Sequence, residues 1–258
     1  MPFHEEDGLR YYTFESLKLK HAIFTRHGGV SPDPWKSLNF GSLVGDAPDK
    51  ILENHRRAFR ALDCNLDTKY DVWQVHSADV VIAEAPRPIN IEHKKADAIL
   101  TNRHNITLFM RFADCVPIFL YDDHHKVIGV VHTGWQGTIK KACQKAIETM
   151  QHVYNSNPAE ILAAIGPSIG PNMYEVGDEV ITQFEAVFQE ESSEIVLRKE
   201  ERNYLNLWVA NQLLLRACGV SDIEVAQICT AESNIDWYSH RKENGKTGRF
   251  GALISLDY

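Results

Sequence analysis

No apolar run in the chain approaches the roughly 20 residues of a membrane span, so a membrane-embedded protein is not expected. The N-terminal stretch, residues 1–17, has neither a basic nor an apolar region, and no secretory signal is predicted. Cysteine is sparse and odd in number. Cys64, Cys115, Cys143, Cys218 and Cys229 are scattered, and no two have Cys-x-x-Cys spacing. A disulfide framework is therefore not expected, and a reducing, cytoplasmic setting is. Histidine is plentiful, yet no His-x-His pair occurs and no histidine flanks a cysteine. The many-histidine copper centres of four-copper oxidases thus have no counterpart here. Net positive charge is also lacking. At −8 the chain is expected to bind neither nucleic acid nor an anionic membrane. That balance still allows a small anion held by a few local arginines.

What is present suits a soluble protein with a substantial core: 258 residues, 44% of them hydrophobic. Strand-like runs are expected over 17–25, 94–101, 106–112, 116–121, 127–131, 159–165, 223–228 and 250–256. Two short strands are expected around a Ser77–Asp79 turn. Helical spacing predicts helices over 46–63, 136–154, 176–190 and 205–217, the last closed by Gly219. In the first helix Asp46 or Asp49 is the expected cap. Ile51, Leu52, Phe59 and Leu62 are expected inside, with His55, Arg56 and Arg57 outside. Cys143 lies on an apolar helix face and reads as packing. The elements interleave without a strict βαβ rhythm. The expected fold is therefore mixed α/β (α+β) in one domain, 1–258, with residues 1–16 peripheral and a monomer favoured.

The stretch from Arg111 to Thr138 organises the rest. Two apolar runs, Val116 to Tyr121 and Val127 to Val131, are separated by Asp122-Asp123-His124-His125-Lys126. Paired antiparallel, they would bring Cys115 and His132 to one sheet edge. His76 ends a similar apolar run. Two imidazoles and a thiolate are a donor set for zinc, and three protein ligands leave a fourth position open. Their spacings match no short zinc motif, so two other readings stand beside this one. Cys115 also reads as a core residue between two hydrogen-bonded histidines, or as a metal-free nucleophile with His132 or His76 as base. The loop 26–41 is long and rich in glycine and proline, as binding loops are.

Several motifs in order carry a family resemblance. They are Phe24-Thr25-Arg26-His27-Gly28-Gly29, Ser37-Leu38-Asn39-Phe40-Gly41, Gln74-Val75-His76, Ala96-Asp97-Ala98, Ala113-Asp114-Cys115-Val116-Pro117 and Val131-His132-Thr133-Gly134-Trp135. Gly166-Pro167-Ser168-Ile169, Tyr174-Glu175-Val176-Gly177 and Gly248-Arg249 follow. Over residues 22–256 the chain resembles the YfiH-type family, long labelled multicopper polyphenol oxidase or laccase-domain protein. The resemblance implies a four-layer α/β/β/α sandwich with mixed sheets. It implies phosphorolysis of adenosine, inosine, guanosine and methylthioadenosine by inorganic phosphate, together with adenosine deamination. It also implies zinc on His76, Cys115 and His132, a site that copper could occupy adventitiously. The family often has cysteines just before Tyr174; this chain has Asn172-Met173.

Phosphorolysis needs a site for a dianion, and Arg26 offers a bidentate fork, with His27 and Asn39 able to share the phosphate or hold ribose hydroxyls. Asp114, Glu175 and His240 are candidate proton shuttles. Phe40, Trp135 and Tyr174 are candidates to stack on the purine. The alternatives are a metal-free Cys115 hydrolase and a copper-dependent polyphenol oxidase.

Overall fold

Strands buried on both faces read as unbroken apolar runs, and the two at the centre of this fold do so because each separates two cores. A computed structural model describes residues 2–88 and 90–256. Met1, Ile89, Asp257 and Tyr258, which include the ends of the expected 1–258 domain, lie outside the described residues.

The first sheet has the order β1 (Phe3–Glu6), β2 (Leu9–Tyr12), β3 (His21–Phe24), β15 (Phe250–Ser255), β7 (Thr107–Phe112), β4 (Lys69–Tyr70). The second has the order β14 (Asp222–Val225), β10 (Ile161–Ile165), β8 (Val116–Asp122), β9 (Val127–Thr133), β6 (Ala98–Thr101), β5 (Val80–Ile82). Both are mixed: β4–β7, β10–β14 and β5–β6 run parallel, and the other pairs antiparallel. A small third sheet joins β11 (Glu175–Val176), β13 (Arg202–Leu205) and β12 (Val196–Lys199).

Strand periodicity assigns the layers. On β8, Val116, Ile118 and Leu120 face one core while Phe119 and Tyr121 face the other. On β7, Met110 and Phe112 face the space between the sheets, and Phe109 faces outward. Helix α1 (Pro48–Ala61) covers that outer face of the first sheet. The second sheet is covered by α3 (Ala142–Tyr154), α4 (Asp178–Phe188) and α6 (Leu207–Ala217). The short α2 (Trp135–Ile139) and α5 (Ser192–Ile195) lie in the same layer. This is the expected four-layer α/β/β/α sandwich. Removing a fully buried ring such as Phe109 would cost about 3–5 kcal/mol. Among the described residues no helix is long and apolar enough to cross a membrane.

Several expectations are corrected. Residues 1–16 are expected to be peripheral, but within the described part β2 pairs with β3, and Leu9, Tyr11, Tyr12 and Phe14 are buried. The Glu15 and Ser16 N–H groups donate to the Glu224 carboxylate on β14, so this segment ties the first sheet to the second. The helix expected over 136–154 breaks at Lys141, whose φ is +60°, into α2 and α3. Neither Asp46 nor Asp49 caps α1. Asp46 Oδ2 instead accepts from Ser31 and Asn39. His55 is buried rather than exposed, in a cage of Phe40, Phe59 and Phe109 rings. The inward stripe of α1 is Ile51, His55, Ala58 and Phe59; Leu52 and Leu62 are only partly buried. Residues 71–76 form no continuous strand, and His76 sits in a loop.

Candidate metal and substrate site

The chain leaves the first sheet at Phe112 and enters the second at Val116, crossing through Ala113, Asp114 and Cys115. Asp114 takes a φ of +77° to make this crossing. Its side chain holds it there: Oδ1 accepts the Thr230 hydroxyl and Oδ2 the Arg241 N–H, each at 2.7 Å. The antiparallel β8–β9 pairing then sets Pro117 opposite His132, which brings the Cys115 thiol beside the His132 ring. His76 arrives from the connection between β4 and β5 with a φ of +56°, its carbonyl accepting from Lys140 Nζ at 2.6 Å. One donor atom each from His76, Cys115 and His132 lies within 4.8 Å of the other two.

Asp97 assembles this group. Its Oδ1 lies 2.8 Å from His132 Nδ1, and its Oδ2 accepts the N–H groups of Val75 (3.1 Å) and Ser77 (2.6 Å), on either side of His76. A proton shared between Nδ1 and the carboxylate leaves His132 Nε2 for the thiol. Burial opposes charge on Cys115, but the facing His132 and His76 rings bring its pKa down to about 6. Burial likewise opposes charge on His132, but the Cys115 thiolate and the Asp97 carboxylate raise it to about 9. Asp97 is buried too, and its bond to His132 holds it below the usual carboxylate range.

The donor set fits a borderline-soft divalent ion. The space fits as well. A Cβ on Gly134 would lie 2.8 Å from Cys115 Sγ and 3.4 Å from His76 Nδ1, so the missing side chain keeps the group open. His132 is buried, Cys115 half-buried and His76 exposed. The group opens into a cavity of about 490 Å³, and a smaller hollow of about 100 Å³ lies against Cys115 beside Ile169 and Leu207.

The larger cavity carries cations. Arg111, Arg241 and Arg249 line it, with His93 and His240, while the Asp114 carboxylate is already bonded on both oxygens. Trp73, Trp135 and Tyr174 give it aromatic walls. Arg111 is set by Asp71, a buried carboxylate that also meets Lys69, Arg87 and His93. Arg249 donates Nη1 to the Thr247 and Gly248 carbonyls. Burial lowers its pKa from the usual arginine value, against the pull of Cys115 and Asp114.

Of the residues singled out from sequence, His76, Cys115, His132, Asp114 and His240 line one cavity. Arg26, His27, Asn39 and Glu175 do not. The Arg26 guanidinium is taken by the Lys36 and Asn234 carbonyls and by Glu243. His27 bonds Asp236 on another surface. Asn39 is buried, its Oδ1 accepting the N–H groups of Gly41 and Arg249. Glu175 is exposed beside Arg202. Phe40 is sealed in the outer core and cannot stack on a substrate, whereas Trp135 and Tyr174 are placed where they could. Sequence reasoning missed Asp97, Arg111, Arg241, Arg249, His93 and Trp73 as site residues. For Asp97 a signal existed, an acid set between two alanines at the start of a strand.

Residues 20–257 match the family model described as multi-copper polyphenol oxidoreductase laccase. A Deinococcus radiodurans protein named purine nucleoside phosphorylase is 38% identical over 96% of this chain and 94% of its own length. Purine nucleoside phosphorylase YfiH of Escherichia coli is 34% identical over 90% and 91%. The crystal structure of YlmD from Geobacillus stearothermophilus superposes with a TM-score of 0.92 at 30% identity, covering 100% of this chain and 99% of that one. The chain belongs to this laccase-labelled family, the one that takes in the YfiH and YlmD proteins.

Proposed function

We propose that this chain is a purine nucleoside phosphorylase that acts on adenosine, inosine, guanosine and methylthioadenosine, with a zinc-dependent adenosine deaminase activity. The observation that carries this reading is one cavity holding both a three-donor metal group and three arginines in a chain of net negative charge. The relatives' names point the same way.

In phosphorolysis a phosphate oxygen bonds to the anomeric carbon as the glycosidic bond breaks. The bonding pair leaves with the purine, which takes up a proton, and the sugar keeps the phosphate. Arg249 is assigned to the phosphate, because its Nε and Nη2 donate to nothing among the described residues. Arg111 adds positive charge from a fixed position. Trp135 and Tyr174 are assigned to the purine face, and His240 to the proton of the departing base. Asp114 is no shuttle in this scheme; it holds Arg241. His76, Cys115 and His132 would hold zinc, which when bound supplies Lewis acidity.

One observation favours a second reading. Cys115, His132 and Asp97 stand in the order nucleophile, base and orienting acid, which suits a metal-free hydrolase. A paired measurement separates the two. Elemental analysis is run beside adenosine conversion with and without phosphate. Stoichiometric zinc, phosphate-dependent adenine and phosphate-independent inosine are expected. A metal-free preparation that leaves adenosine untouched overturns the proposal and leaves the hydrolase; stoichiometric copper with oxidation of phenols would replace it by the oxidase.

A further inference from the structure

The Arg26-His27 motif lies outside the cavity, yet its arginine pairs with Glu243 and lies over the Tyr238 ring, both in the segment that furnishes the cavity. That segment runs from Trp237 to Arg249 and supplies His240, Arg241 and Arg249 to the cavity wall. It is irregular between the buried anchors Trp237 and Tyr238 and the start of β15. Backbone turn bonds such as Gly245 N–H to the His240 carbonyl shape its middle, while side-chain bonds tie its ends and its place in the fold.

One carboxylate, Glu243, ties the two ends of the segment together and joins it to Arg26. Glu243 Oε2 accepts the Ser239 N–H at 3.0 Å and the Thr247 hydroxyl at 2.5 Å, closing the two ends of the segment on each other. Its Oε1 accepts Arg26 Nη1 at 3.0 Å. Arg26 then reaches three further anchors. Nε donates to the Lys36 carbonyl, Nη1 to the Asn234 carbonyl, and the guanidinium lies 4.5 Å from the Tyr238 ring centroid. The Arg26 and Glu243 side chains are 15% and 19% exposed, so water competes little for the pair. The segment is also pinned at the cavity wall, by Arg241 N–H on Asp114, and behind it, by Arg249 N–H on buried Asn39.

We propose that Arg26 and Glu243 are positioning residues: their ion pair sets the 237–249 segment so that His240, Arg241 and Arg249 face the His76–Cys115–His132 group. Neither residue lines the cavity or touches the three donors. The effect on turnover rests on the phosphorylase reading; the effect on the segment does not. Loss of the clamp should loosen phosphate and nucleoside handling while leaving the metal group intact.

The test uses the full chain with Glu243→Ala, Glu243→Gln and Arg26→Lys. Amide hydrogen exchange at Ser239 and Arg241 is followed beside metal content, melting temperature, and KM and kcat for adenosine with inorganic phosphate. In Glu243→Ala we expect both amides to lose protection, metal content to stay at the wild-type level, and kcat/KM to fall about tenfold to hundredfold, the scale of an ångström-sized misplacement. The phosphate KM should rise more than kcat falls. Glu243→Gln and Arg26→Lys should lie between Glu243→Ala and the wild type, and they carry the test should the alanine variant not fold. Unchanged exchange overturns the clamp. So does changed exchange with wild-type KM and kcat, which would make the pair a brace for stability alone. An inactive wild type with the expected exchange pattern would sink the phosphorylase reading and leave the clamp standing.

Discussion

Asp97 and His132 are joined twice: by the 2.8 Å contact between Oδ1 and Nδ1, and by the His132 N–H donating to the Asp97 carbonyl at 2.8 Å. The second carboxylate oxygen holds the backbone around His76, so one residue orients two of the three candidate ligands. Replacing it by asparagine keeps the shape but puts an amide where an acceptor is needed. Asp97→Asn should weaken metal binding by about 10–100-fold. Competition with a chromophoric chelator measures this without reference to turnover. Unaltered affinity would refute the assignment.

Gly134 gives a steric version of the same test. Its φ of −85° suits any residue, so an added methyl group is opposed not by the backbone but by its nearest neighbours, Cys115 and His76. Gly134→Ala should lower metal occupancy while changing the stability of the metal-free protein by no more than about 1 kcal/mol. Elemental analysis and urea denaturation of the metal-free form report the two quantities separately.

Arg249→Met keeps the aliphatic packing and removes the charge. A hydrogen bond to a charged group is worth about 1.5–3 kcal/mol, so the phosphate KM should rise about tenfold to hundredfold. Metal content should be unaffected. A phosphate KM equal to that of the wild type would place the anion elsewhere in the cavity.

Acid should destabilise the protein in two stages. His21 accepts the Phe14 N–H on Nε2 at 2.7 Å while Nδ1 lies 2.8 Å from the Leu19 carbonyl, an arrangement only the neutral ring can make. Burial pushes its pKa below the usual histidine value, and burial in the phenylalanine cage pushes His55 well below it. Each folded-state pKa lies below its unfolded value, so the unfolded chain takes up the proton first. Stability is then full above about pH 6.5 and falls below it, by up to about 1.4 kcal/mol per pH unit for each histidine. Asp71 forms the second stage. Burial would raise it, but His93, Lys69 and Arg111 hold it well below the usual range. Its contribution is present above about pH 3.9 and lost as pH falls toward its folded value. Urea midpoints between pH 8 and pH 3 should show both stages, and His55→Leu should shrink the first. A midpoint flat down to pH 5 would contradict the histidine assignment.

Legibility followed the source of each constraint. The β8–β9 pair could be read because both faces of each strand are buried, so the apolar runs are continuous, and the short polar break fixes their pairing. Cys115 and His132 came together for that reason. His76 was found by its setting at the end of an apolar run, although Trp73 makes only an isolated bridge there. The β1–β2 hairpin was missed even though Asp7-Gly8, with φ of +50° and +79°, is a strong two-residue turn signal; in β1 only Phe3 is apolar and His4, Glu5 and Glu6 are exposed, so no alternation supports it. Arg26 was misplaced because a guanidinium beside glycines suits an anion equally well whether the partner is phosphate or Glu243. Only the tertiary fold of the 26–41 loop decides, and buried Asn54, which bonds Ser31, Ser37, Asn39 and Val30, fixes that fold.

The crossing at Ala113–Cys115 has a consequence for how the molecule comes apart. The second sheet contributes His132, the passage between sheets contributes Cys115, and a loop leaving the first sheet contributes His76. Neither sheet alone contains the group. An ion bound there would act as a rivet through the middle of the sandwich, favouring only the state in which the two layers are closed. At a free concentration of a thousand times its Kd it would add about 4 kcal/mol to interlayer cohesion. Mechanical integrity and chemical competence would then be one equilibrium, seen once as a melting curve and once as a rate.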